Sequence, residues 1–195
     1  MQDKIRQLFS ENIQTMIATS EALAGPIEQA AFRIVSSLIE GGKVMCCGDG
    51  ASASLAQHFA QLLLDQFETE RPCLPAMALH QDHTALHASS GRNSDYYARQ
   101  VKALGQKGDI LLVISLSGNE QSLIKAVEAA LTCDMSVVAL TVEGADELSG
   151  LLNAQDTELR VPAHRHARVF ECYAFLLHCI CELIELNLFP QQGEL

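Results

Sequence analysis

Lys43–Phe59 reads KVMCCGDGASASLAQHF, and its three parts follow one another without a spacer. Val44, Met45, Cys46 and Cys47 form a short apolar run of the kind shown by a strand buried on both faces. Gly48-Asp49-Gly50 breaks the run, and Ser52 or Ser54 is placed to cap the helix that follows. Such a corner presents backbone N–H groups at a helix N-terminus, where the partial positive charge favours an anion. Serine hydroxyls add donors suited to phosphate, so a sugar phosphate is the expected guest. On its own, a glycine-rich turn serves backbone geometry as readily as a ligand.

A second stretch repeats the design. Asp109–Asn119 reads DILLVISLSGN: a strand over Ile110–Ile114, then Ser115-Leu116-Ser117-Gly118-Asn119, then a helix through Ala130. Two serine-lined strand-to-helix corners in one sheet predict one shared crevice. Ser52, Ser115, Ser117 and Asn119 are its candidate ligand-binding residues.

Outward from these corners, strands alternate with helices. Ile5, Leu8, Phe9, Ile13, Met16 and Ile17 repeat close to every 3.6 residues, predicting an amphipathic helix over Asp3–Leu23. Its apolar face packs either on its own sheet or on a neighbouring subunit. Pro26 suits the first turn of a second helix, which Gly41-Gly42 ends after Ile39. Further helices are expected from Ser52 to about Phe67, over Asp95–Leu104 and over Asn119–Leu131, with a short one from Asp146 to Leu152. Further strands are expected over Ala76–Leu79, Ser136–Thr141 and Thr157–Val161. Gln81–Asn93 reads as a short helix and a loop. Arg165–Asn187 is apolar almost all round, which calls for enclosure by sheet or partner helices and so for an oligomer. The pattern predicts a doubly wound α/β fold, a five-stranded parallel sheet with helices on both faces. One domain fills residues 1–195, with N-terminal helices over 1–40, the α/β core over 41–162 and the long helix and tail over 163–195.

Composition narrows the function. The chain is 48% hydrophobic and 19% charged, ordinary for a soluble domain. No apolar run approaches the ~20 residues of a membrane span, and MQDKIRQLF lacks the order of a signal peptide, so a cytoplasmic location is expected. A formal charge of −11 with 13 scattered Lys and Arg argues against a direct grip on nucleic acid. Seven cysteines, none in a CxxC pair, read as reduced core residues.

CCGDGASASLAQHFA, RPCLPAMAL, KGDILLVISLSGN, KAVEAA, VVALT and LIELNLFP together resemble the SIS (sugar isomerase) family over essentially the whole chain. The resemblance implies a flavodoxin-like sheet, a homotetramer and sugar-phosphate crevices at subunit interfaces. Two branches are similar: phosphoheptose isomerases, acting on sedoheptulose 7-phosphate, and adapters that bind the initiator DnaA at the replication origin. SENIQT, FETERP and NLFP resemble the adapters more closely.

The isomerase pattern carries over only in part. Ser52, Ser115 and Ser117 match its phosphate-contacting serines, but it has Asn at Asp49, Thr at Leu116 and Ser at Glu120. Two carboxylates therefore border the expected phosphate. Like charges ~4 Å apart cost about 1 kcal/mol in water and about 4 kcal/mol at an effective dielectric near 20. His58 matches a metal-ligand histidine and His178 the catalytic one, yet the glutamate base is Leu62 and a glutamine ligand is Phe170. Aldose–ketose isomerisation needs a base that returns its proton, so His58 and His178 are candidates in a chain expected to have no catalytic set, metal or cofactor. His80, His83, His87, His164 and His166 show no metal-ligand spacing. Leu188 and Phe189, before Pro190, are the expected partner-binding pair. The chain thus reads as a non-catalytic adapter for a DnaA-type initiator, with isomerase and non-catalytic sugar-phosphate sensor as rival readings.

Overall fold

The computed structural model describes residues 1–80, 94–144 and 146–190. In chain order these form α1 (Gln2–Ile39), β1 (Val44–Gly48), α2 (Ser52–Leu64), β2 (Ala76–Ala78), α3 (Tyr96–Leu104), β3 (Ile110–Ile114), α4 (Gln121–Thr132), β4 (Ser136–Val142), α5 (Asp146–Ser149), β5 (Thr157–Val161) and α6 (His166–Leu188). The expected helix and loop over Gln81–Asn93, with His83 and His87, and the tail after Pro190 lie outside the described residues.

All strand pairs are parallel, in the order β2-β1-β3-β4-β5. This is the expected doubly wound, flavodoxin-like order. Val44 lies opposite Ile110 and Gly48 opposite Ile114, so β1 and β3 end on one rim, at the point where the strand order reverses. Val44, Cys46, Ile110, Leu112 and Ile114 belong to the core shared with α1, α2 and α6. Met45, Cys47, Leu111 and Val113 face α3 and α4. Burial on both faces is why these strands are unbroken apolar runs.

Pro26 does not open a second helix; α1 runs through it from Gln2 to Ile39. Proline fixes φ near the helical value but removes one hydrogen bond, at about 3 kcal/mol in a helix interior. Buried Leu23 before it and Ala30, Ala31 and Ile34 after it offset that loss by anchoring both sides to one core. The N-terminal half of α1 lies along α6: Asn12 donates to Glu171 at 2.6 Å, Arg165 pairs with Glu11 at 2.5 Å, and Arg168 donates to the Leu8 carbonyl at 2.9 Å. Its other side is open, with Ile5, Phe9, Ile13 and Ile17 each more than half exposed. Phe175 of α6 is also 55% exposed, so the protomer encloses α6 on its sheet side and leaves part of it bare.

The cysteines are all free thiols. Burial pushes Cys46 and Cys47 well above the ordinary thiol range and Cys181 up to about 12. The Arg71 side chain is fully enclosed. It donates to Glu185 of α6 at 2.6 Å and to the carbonyls of Leu62 and Leu63 at 2.6 and 3.0 Å, taking up the end of α2. Arg71→Ala strands the Glu185 carboxylate, and unfolding in urea is expected to show a loss of about 3–5 kcal/mol; a loss below ~1 kcal/mol would mean that the pair is dispensable.

Candidate functional site at the ends of β1 and β3

The first loop is held by contacts that only small or polar residues permit. A Cβ on Gly48 would lie 2.6 Å from the Ser52 backbone oxygen, so glycine is required there. Ser52 and Ser54 do not cap α2 through their side chains as expected. The Ser52 hydroxyl lies 2.8 Å from both the Asp49 and Ile114 carbonyls, and that of Ser54 donates to the Ala51 carbonyl. Ser52 thus brings a donor to the carbonyl at the buried end of β3, as a polar group shut away from water requires. Asp49 is turned inward: one carboxylate oxygen accepts the Gly50 N–H at 2.9 Å, the other the hydroxyls of Ser122 at 2.6 Å and Tyr96 at 3.2 Å. The buried Tyr97 hydroxyl of α3 donates to the Gly48 carbonyl at 2.5 Å.

The second loop closes on a carboxylate. Glu120 accepts the Ser115 hydroxyl at 2.5 Å on one oxygen, and the N–H groups of Ser117 and Leu116 at 3.0 and 3.2 Å on the other. The Ser115 oxygen accepts the Gly118 N–H at 2.7 Å, with Gly118 at φ +78°. The buried Tyr173 hydroxyl of α6 donates to the Ser115 carbonyl at 2.7 Å, and burial raises its pKa. Of the four residues expected to hold a ligand, Ser52 and Ser115 are buried and engaged with the protein, while Ser117 and Asn119 are exposed. Ser117 accepts the Asn119 N–H at 3.3 Å.

Beside these loops, α2 and α6 bring His58 and His178 together, Nε2 to Nε2 at 2.9 Å. Two ring nitrogens at that distance share one proton, so one ring donates and the other accepts. The Phe67 ring lies 5.5 Å from that of His178. Leu62 and Phe170 are partly buried against the core and bring no oxygen to the pair. Among the described residues, no three His, Cys, Asp or Glu side chains converge as metal ligands. His164 pairs with Glu143 at 2.9 Å, His80 lies 3.5 Å from Gln57, and all three of His80, His164 and His166 are exposed. An apolar groove of about 630 Å³ runs between α1 and α6, with Met16, Ile27, Phe67, Phe175, His178 and Leu183 in its walls.

Leu188 and Phe189, at the end of α6, are half-buried against the core. Phe189 borders a small cleft with Phe67, Glu68, Thr69, Glu182 and Leu186. Glu185 accepts the Phe67 N–H at 3.2 Å, so the Arg71 pair also fixes this cleft.

The SIS domain model matches residues 8–142. The chain belongs to the SIS family. Curated SIS relatives include the DnaA initiator-associating protein DiaA of Serratia proteamaculans and of Escherichia coli K12, each 50% identical over 196 residues and covering all of both chains. Solved SIS structures of the same shape include a phosphoheptose isomerase of Francisella tularensis, 44% identical with TM-score 0.87 over 93% of this chain and 96% of that one. The phosphoheptose isomerase of Neisseria gonorrhoeae is 36% identical, with TM-score 0.85 over 94% and 98%.

Sequence patterning alone does not reveal the parts played by Asp49, Glu120, Tyr97 and Tyr173 in holding this SIS crevice. Two signals point towards them: an acidic residue in the turn that leads into a helix, beside free N–H groups, and a tyrosine on an otherwise apolar helix, whose hydroxyl needs a partner once buried.

His58 makes stability depend on pH. Burial, and secondarily His178, lowers the His58 pKa below its ordinary 6.5. The unfolded chain therefore takes up a proton that the folded chain resists, so this stability is present above about 6.5 and lost as pH falls below it. Thermal midpoints measured from pH 8 to 5 are expected to drop below pH ~6.5, with a shallower drop in His58→Gln; an unchanged slope would place the acid loss elsewhere.

Proposed function

We propose that the chain is a non-catalytic adapter that binds a DnaA-type initiator in the cytoplasm as a homotetramer and promotes its assembly at the replication origin. The observation that carries this reading is the end-to-end 50% identity to proteins named for association with DnaA. The site supports it from the other side. Leu62 and Phe170 offer neither a base nor a ligand beside His58 and His178, and both crevice serines nearest the sheet are spent on internal bonds. A net charge of −11 suits action on DNA through a protein rather than directly.

The apolar stripe of α1 and the bare side of α6 support assembly, since such a surface on one protomer is ordinarily covered. Four copies presenting identical α6 ends would turn weak single contacts into firm binding. Sedimentation at micromolar concentration is expected to give a tetramer mass, and a monomer would remove the avidity argument.

Leu188 and Phe189 are proposed as partner contacts, at the point where α6 meets solvent beside the exposed Leu186. Replacing both by Ala should abolish pull-down of DnaA while leaving the oligomer mass unchanged; retained binding would make their role structural. A phosphoheptose isomerase is the second reading, favoured by the 44% identical Francisella structure and the surviving histidine pair. Turnover of sedoheptulose 7-phosphate, lost on His178→Ala, would favour it over the adapter. Leu62→Glu alone is not expected to create full activity, because Asp49 and Glu120 remain in the loops.

A further inference from the structure

The loop after β3 already contains an anion. Two successive N–H groups, of Leu116 and Ser117, meet one oxygen of the Glu120 carboxylate, and the Ser115 hydroxyl meets the other. The same donor set, at the head of the twelve-residue helix α4, suits the oxygens of a phosphomonoester. Its geometry is held from behind: Tyr173 fixes the Ser115 carbonyl, and Gly118 donates to the Ser115 oxygen. The occupant is also part of the scaffold. The Glu120 carbonyl accepts the N–H groups of Leu123 and Ile124 at 2.9 and 3.0 Å, so the residue that fills the loop also starts the helix.

We propose that Glu120 is a selectivity residue: its carboxylate acts as a tethered internal anion that closes this loop to phosphomonoesters. A tethered group competes at a high effective concentration and is never diluted away. A phosphate entering the loop must displace it and leave it unpaired nearby, while Asp49, bonded to Ser122 in the first turn of α4, adds a second negative charge on the same side. Both effects push against a dianion and leave the loop structurally complete without one. This closure is independent of DnaA binding and holds for an adapter or for any other use of the fold.

The test is direct binding of inorganic phosphate and of sedoheptulose 7-phosphate to the full chain and to Glu120→Ser and Glu120→Gln. Calorimetry gives affinity, and amide resonances of Leu116 and Ser117 locate it. Glu120→Ser is expected to bind phosphate at least tenfold more tightly than the wild type, with both resonances shifting on titration. Glu120→Gln keeps the acceptor oxygen and removes the charge, so it should fall between the two, and it carries the test if the serine variant unfolds. Adding Asp49→Asn should tighten binding further. Wild-type binding as tight as that of the variants, or folded variants whose Leu116 and Ser117 resonances ignore phosphate, would overturn the proposal.

Discussion

A parallel sheet covered on both faces leaves the last carbonyls of its central strands turned towards loops, away from water, and each must find a donor. In this SIS chain hydroxyl groups meet that demand. Tyr97 of α3 serves the Gly48 carbonyl, Ser52 of α2 serves Ile114, and Tyr173 of α6 serves Ser115. Three helices from two layers are thereby tied to one rim of the sheet. Side chains that resemble a waiting ligand shell are, in the folded chain, fasteners between secondary-structure elements. A hydroxyl has one proton to give, so a serine committed in this way has little left for a guest.

The same economy governs charge. Asp49 and Glu120 are carboxylates at the crevice, and each accepts at least three hydrogen bonds from the loops and first turns around it. The acidic surplus of the chain therefore reaches into the crevice at the ends of β1 and β3. Chemistry of a different kind is concentrated at the far end of α6, where Arg71 and Glu185 fix the segment around Phe67 beside Phe189. An enclosed ion pair of this sort adds little net stability but specifies one arrangement of its neighbours.

Much of the fold is legible in the order of the amino acids. Val44–Cys47 and Ile110–Ile114 are strand-length apolar runs bounded by glycine and serine, and their partners recur with helix-length spacers between them. Local pattern and global topology agree there, which is why the strands fall where the apolar runs place them. Pro26 misleads because a proline at a helix start and one inside a helix look alike locally; the difference lies in Leu23 and Ile34 sharing one core, a non-local fact. The location of the candidate site follows from the two corners. Its internal wiring does not, because the contacts of Glu120 with Leu116 and of Tyr173 with Ser115 depend on side-chain directions that spacing does not encode.

The thiols carry a consequence of their own. Cys46, Cys47, Cys172 and Cys181 are buried on β1 and α6, whereas Cys73 is exposed before β2. Only the thiolate reacts with alkylating reagents, so at neutral pH the four enclosed sulfurs are silent while the chain is closed. Cys73, with the half-buried Cys133 and Cys179, reports the reagent, and the four enclosed thiols report how often the molecule opens. The protein thus contains its own clock for the closed-to-open equilibrium, which the rate of alkylation reads without denaturant when reclosing outpaces the chemistry.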